Sequence, residues 1–272
     1  MSANGAVTQR SRSTVGERFA PVGDPIGEEA RGYREAVTGS WLADGSGQFC
    51  RGALGIVFDD VMGSLAAGHC SDLGRAVATQ IHLDFLLDPP LDGSTLRAES
   101  WGLHSGTHTV LAGGRIVDAT GSLVATGSVS LQTTSAAVDV STTRGQIVPA
   151  ATRRGGESID ELIGALRRQN NGRSWVELDA AAVPGDPGGH LSAGILLCAS
   201  ELAGLSALPG EAGFRTNAIH VTYLRPCPSG DHVTFVPTVL HVGRTMALVQ
   251  VVGRTISGTT CTSAVLTCGT AR

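Results

Sequence analysis

The chain has 272 residues, 42% of them hydrophobic and 16% charged, which is ordinary globular material and enough for two domains of roughly 130 residues. A net charge of −4 and a pI near 6.0, with no basic run, exclude a nucleic-acid surface. All 20 basic residues are arginine, so Schiff-base chemistry and an ordinary P-loop, both of which need a lysine amine, are excluded as well.

The N-terminal residues 1–24 are rich in Ser, Arg, Gly and Thr and are expected to be a disordered tail. No apolar signal region and no run of membrane-spanning length follows, so a cytoplasmic protein is expected. Residues 25–39, PIGEEARGYREAVTG, read as a short amphipathic helix ended by Gly39. DGSGQFCRG then runs as a loop of small residues into LGIVFDDVMGSLAA, a helix apolar on nearly every face apart from Asp59 and Asp60, which marks it as a core helix. Gly55, Gly63, Ala66 and Ala67 suit close wrapping of that helix. Four period-two segments follow, from ATQIHLDFLL to SLVATGSVSLQT, split by Gly, Asp and Pro turns as antiparallel strands are.

Residues 135–156 form a polar connection, and SIDELIGALRRQNNG after it reads as a second amphipathic helix. Ser158 and Glu161 make a capping box, Arg167 and Arg168 suit the negative end, and Gly172 stops it. ILLCASELAGL, from Ile195, is another all-apolar helix, and four further period-two segments complete the chain. Six cysteines, at 50, 70, 198, 227, 261 and 268, lie far apart without C-x-x-C or metal-ligand spacing, and read as buried reduced thiols with no metal.

The two halves repeat each other. Asp44 and Asp186, Gly47 and Gly189, Gly52 and Gly194, and Asp59 and Glu201 are all 142 residues apart. TQIHLDFL answers NAIHVTYL at an offset of 138, placing His82 opposite His220 as core or interface histidines. A duplicated α+β domain follows, covering 25–134 and 157–272, each copy a long central helix wrapped by an antiparallel sheet.

A loop polar residue, a glycine turn, an apolar helix with an acid seven residues beyond the glycine, and strands carrying LRP and a GD turn resemble the hotdog-fold acyl-CoA thioesterases. The phenylacetyl-CoA and 4-hydroxybenzoyl-CoA thioesterase group is the nearer likeness, here as a tandem double hotdog. The resemblance implies hydrolysis of a CoA or carrier-protein thioester, with coenzyme A as part of the substrate and no separate cofactor or metal. It implies Asp59 as the leading base or nucleophile and Arg51 N–H as the oxyanion donor. Asp44 would orient the substrate, and Glu201, Ala193 N–H and Asp186 would form a second site. Gly52, Gly194 and Gly63 would line the substrate path, with Arg225 and Arg244 as candidates for the CoA phosphates, and a homo-oligomer of double hotdogs is implied.

Where the family carries His-Gly-Gly, this chain has Cys50-Arg51-Gly52 and Ser192-Ala193-Gly194, so neither histidine is kept. A backbone N–H survives such replacement and can still stabilise a developing oxyanion. Two other readings stay open: a non-catalytic acyl-CoA-binding hotdog, and a hydratase or dehydratase needing a histidine near the helix acid, for which His69 and His104 are the candidates. Asp44 and Asp186 also suit plain turns, and Asp60, about 100° round the helix from Asp59, suits a paired structural neighbour.

Overall fold

The computed structural model describes residues 31–69, 75–106, 108–134, 157–179 and 189–270. The tail 1–24, the connection 135–156 and Asp186 lie outside the described residues. In the first half, the strands are β1 (Arg31–Val37), β2 (Arg75–Phe85), β3 (Thr95–Ser105), β4 (Thr109–Val117) and β5 (Leu123–Thr134), and the helix α1 is Leu54–His69. The second half contains α2 (Ile159–Leu162), β6 (Ala165–Asn170), β7 (Arg173–Asp179) and α3 (Ala193–Ser206). It continues through β8 (Phe214–Tyr223), β9 (His232–Val242), β10 (Met246–Thr255) and β11 (Thr260–Thr270).

The strands form one antiparallel sheet in the order β1-β3-β4-β5-β2-β8-β11-β10-β9-β7-β6. Read outward from the β2–β8 seam, the two halves have the same order, with β6 as an addition at one edge. At the seam His82 pairs with His220, flanked by Ile81 with Val221 and Leu83 with Ile219. The 138-residue offset makes that histidine pair the point about which the halves interchange.

Alternation along β2 and β8 turns Ile81, Leu83, Ile219 and Val221 into the core. His82 and His220 therefore point to the other face, partly exposed, with ring centroids 6.0 Å apart. They are not core residues.

The two long helices sit together on the inner side of the sheet. Helix α1 packs on β1, β3 and β4, α3 packs on β7 to β11, and the helices touch each other. Phe58, Leu54 and Met62 of α1 are fully buried, and α3 is buried from Gly194 to Gly204. Each large apolar side chain so removed from water contributes about 1.5–3 kcal/mol.

The helix crossing is set by glycine. A Cβ on Gly194 would stand 2.6 Å from Gly55 O and from Ile56 Cα, and one on Gly52 would stand 3.0 Å from Cys198 Cα. Gly63 is different: it is exposed, and a Cβ there would meet nothing within 4 Å. It plays no part in close wrapping.

Two expected helices are replaced by strands. Residues 31–37 are β1, whose seven residues all pair with β3, from Arg31 with Trp101 to Val37 with Thr95. The pairing gives β3 a full-length neighbour, a tertiary gain that outweighs a weak local helical pattern. The capping box at Ser158 and Glu161 is present, with Ser158 N–H donating to the Glu161 carboxylate at 2.9 Å. Yet α2 lasts one turn, because Gly164 turns left-handed at φ 64°. Arg167 and Arg168 then lie on β6, and Asn171-Gly172, at φ 48° and 74°, makes the two-residue hairpin to β7.

Candidate functional site

The two helix acids reach across the crossing and meet the opposite helix's first turn. Glu201 of α3 accepts from the N–H of Gly52, in the single 3₁₀ turn Arg51–Ala53 that leads into α1, and from Cys50 Sγ at 3.0 Å. Asp59 of α1 accepts from the N–H of Gly194 at 2.9 Å and from Ser192 Oγ at 2.9 Å. Each acid thus lies on N–H groups where the helix dipole favours negative charge. Asp59 with Glu201, Gly52 with Gly194 and Cys50 with Ser192 are 142 residues apart, so the sequence repeat is a repeat of this contact.

The two copies are not equally satisfied. The Asp59 carboxylate also draws on the Ala193 N–H, while the Ala193 carbonyl accepts from Tyr223 Oη at 2.7 Å. Burial raises the Asp59 pKa, against the pull of Gly194 and Ser192, and the like charge of Asp60 adds to the rise. Glu201 is 1% exposed, and its Oε1 has no hydrogen-bond partner. Burial raises its pKa too, opposed by Cys50, Thr216, the Gly52 N–H and the Arg51 charge. The Thr216 hydroxyl stands close enough to favour the charged form, yet both it and Glu201 Oε1 remain unpartnered. A buried oxygen without a partner costs free energy that a bound molecule can recover.

Glu201 borders a pocket, although it is the more deeply buried of the two acids and Asp59 is partly exposed. A pocket of about 330 Å³ is lined by Glu201, Cys50, Arg51 and Thr216, with Phe49, Leu202, Leu205, Leu208 and Phe214 as apolar wall. Asp59 is not among its lining residues. At the rim, Asp88 accepts from Arg51 Nε at 2.6 Å and also pairs with Arg215, and Arg51 Nη1 reaches Thr216 O at 2.7 Å. Arg167 bridges Asp44 at 2.7 Å and Asp160 at 3.0 Å. Two larger hollows, of about 690 and 660 Å³, flank the β6–β7 hairpin and are lined by neither acid.

With this geometry in view, residues 188–262 match the family model described as the thioesterase superfamily. That stretch is similar to the thioesterase superfamily. No curated protein matches the chain significantly. Among solved structures, the tesB protein of Mycobacterium avium subspecies paratuberculosis is similar at 14% identity and TM-score 0.64, covering 95% of this chain and 98% of its own. The acyl-CoA thioesterase II of Mycobacterium marinum gives 15%, 0.61, 95% and 98%. A hot dog fold protein of unknown function from Alicyclobacillus acidocaldarius gives 10%, 0.62, 95% and 98%. At these identities the likeness is one of fold: an α+β hotdog-type arrangement of helix and antiparallel sheet.

In the hotdog frame, the expected residues separate into groups. Asp59, Glu201, Arg51, Ala193, Gly52 and Gly194 converge at the helix crossing. Asp44 is in a tight turn, its Oδ1 taking Ser46 N–H at 2.9 Å and Gln48 N–H at 3.0 Å, and it also lines the pocket rim. Burial is outweighed there by the Ser46, Gln48 and Arg167 contacts, which hold the Asp44 pKa low. Asp60 pairs with Arg34 at 2.9 Å, as its helix position suggested.

Arg225 lies just past β8 and Arg244 in the β9–β10 turn, both exposed and neither lining the pocket. His104 is exposed on β3, and the side chain of His69 lies outside the described residues. Among the described residues, no cluster of His, Cys, Asp and Glu could hold a metal, and no helix is long and apolar enough to cross a membrane.

Sequence reasoning missed Cys50 and Ser192 as donors to the acids. The signal was there: the repeat puts a thiol and a hydroxyl at one position, two residues before each glycine. Asp88, Arg215 and Thr216 carried no signal, because they reach the site only through strand pairing.

Proposed function

We propose that the protein is a tandem double hotdog, with halves 25–134 and 157–272, that hydrolyses acyl thioesters of coenzyme A or a carrier protein at Glu201. The observation that carries this reading is the unpartnered Glu201 Oε1 beside a pocket, at the N-terminal turn of the opposite helix. Asp59, the leading candidate on sequence, has the same placement and is partly exposed, but it lines no part of this pocket and its Oδ2 is engaged by Ser192 and the Gly194 N–H, and we assign it a structural role.

A thioester carbonyl at the turn would direct its oxygen to the Arg51 N–H, where a positioned donor is worth about 10²- to 10³-fold in rate. Glu201 Oε1 then deprotonates water or attacks the carbonyl carbon itself. Cys50 and the Gly52 N–H hold Oε2, leaving Oε1 free for the reaction. The apolar wall from Leu202 to Phe214 takes the acyl group. A cytoplasmic location fits this reading, and so does self-association of the double hotdog, since β1 and β6 are the edge strands of the sheet among the described residues.

Release of free coenzyme A over short, long and aromatic acyl-CoAs tests it. Glu201→Gln is expected to lose about 10²- to 10⁴-fold, the range of a positioned acid or base. Asp59→Asn should lose far less. The reverse ranking would move the chemistry to Asp59. A panel that binds but is not hydrolysed makes the protein a binding module, and hydration of an enoyl-CoA makes it a hydratase.

A further inference from the structure

The surroundings of Glu201 hold a feature that those of Asp59 lack. Cys50 and Cys198 face each other with their sulfurs 3.7 Å apart, and Cys50 Sγ is also 3.0 Å from Glu201 Oε2. Both are free and buried. Cys50 nevertheless lines the pocket, so a small solute that reaches Glu201 also reaches this thiol. At the corresponding places around Asp59 stand Ser192 and Ile56, and no thiol pair is possible.

We propose that Cys50 and Cys198 are a dithiol oxidation site, closed to a disulfide by a small hydroperoxide entering through the pocket, and that closure shuts down the Glu201 site. The cross-link stands on its own; only its effect on turnover rests on the function proposed above. Glu201 takes the Cys50 proton across the 3.0 Å contact, and the thiolate sulfur attacks one peroxide oxygen. The O–O bond breaks, leaving Cys50 as a sulfenic acid, and the departing oxygen takes a proton to become an alcohol or water.

The Cys198 sulfur then attacks the sulfenic sulfur. An S–S bond forms, the S–O bond breaks, and hydroxide leaves with the Cys198 proton as water. Two thiols and one hydroperoxide give one disulfide, one alcohol and one water, the sulfurs losing the two electrons that reduce the peroxide.

Closure brings the sulfurs together by about 1.7 Å, to the normal S–S length. It takes the Cys50 sulfur from Glu201 Oε2 and ties the turn before α1 to α3. The Cys198 contact, burial and the neighbouring Glu201 charge all hold the Cys50 thiol well above its ordinary pKa, so the thiol stays protonated until its proton is passed on. Cys227 and Cys261 also lie side by side, but neither lines the pocket, which makes them an internal control for access.

The test treats the full chain, first reduced and then exposed to hydrogen peroxide, with peptide mass mapping and acyl-CoA hydrolysis followed together. A Cys50–Cys198 cross-link should form ahead of any Cys227–Cys261 link. Hydrolysis should fall in step by about 10²-fold, the scale of disturbing one positioned group, and return with dithiothreitol. Cys198→Ala should hydrolyse like the wild type when reduced, and under peroxide should show a Cys50 adduct and no cross-link.

Closure of Cys227 with Cys261 first, or a Cys50–Cys198 link that leaves turnover unchanged, would overturn the proposal. If the reduced chain hydrolyses no thioester, the proposed function falls. The oxidation site is then judged by the mass map and by whether oxidation abolishes acyl-CoA binding.

Discussion

Gly194→Ala probes the helix crossing that creates both carboxylate sites. The added methyl would meet Gly55 O and Ile56 Cα at 2.6 Å and Asp59 Cβ at 3.0 Å, so two of its three nearest neighbours are backbone that cannot rotate away. Overpacking of this kind costs about 1–3 kcal/mol, and backbone on one side and the sheet on the other place this case in the upper half of that range. With roughly 2–4 °C of melting temperature per kcal/mol for a chain of this size, about 2–3 kcal/mol corresponds to a fall of about 4–12 °C.

Gly63→Ala is the matched control. It lies in the same pair of helices but in open space, and gains up to about 1 kcal/mol of helix propensity, or a rise of roughly 2–4 °C. Calorimetry or urea unfolding of the three proteins reads both effects. A Gly194→Ala protein as stable as the wild type would refute the close crossing, and with it the contact between Glu201 and the Gly52 turn.

The buried acid carries a stability cost with a definite sign. The folded-state pKa of Glu201 is raised, so the penalty is absent below the ordinary carboxylate range and full above the raised value. Glu201→Gln should therefore gain on the wild type in urea unfolding as pH rises through that window, and a difference independent of pH would contradict it. Asp60→Asn removes a part-exposed ion pair with Arg34, and should cost under about 1 kcal/mol without changing acyl-CoA hydrolysis. Asn171→Val puts a β-branched residue at φ 48° and should lose about 1–2 kcal/mol in thermal unfolding, whereas Asn171→Gly should not.

What the sequence made legible was whatever repeated. The all-apolar stretches around Phe58 and Ile195 could only be core helices, and the period-two segments fell into strands at nearly the expected places. The 142-residue offset singled out Asp59, Glu201, Gly52 and Gly194, and these converge. Local pattern failed at residues 31–37 and 165–170, where a strand partner decided the conformation; Asn171-Gly172 was a readable hairpin signal beside a misleading helical one. The difference between the two acids was hidden, because it lies in which oxygen is left unpartnered and where a pocket opens. Asp88, Thr216 and Arg215 come to Glu201 by tertiary placement alone.

The seam at His82 and His220 has a consequence for what such a molecule can carry. Were the two halves separate identical chains, every substitution would appear twice, once on each side of the axis. Joined in one chain, each position changes singly. Cys198 faces Cys50 while the place related to it holds Ile56, and Ser192 stands where the axis would otherwise demand a second thiol. Covalent linkage also holds the partner at fixed stoichiometry, so dilution does not dissolve the pairing of unlike halves. On the function proposed above, one acid is then free to serve a pocket while its twin fastens the crossing.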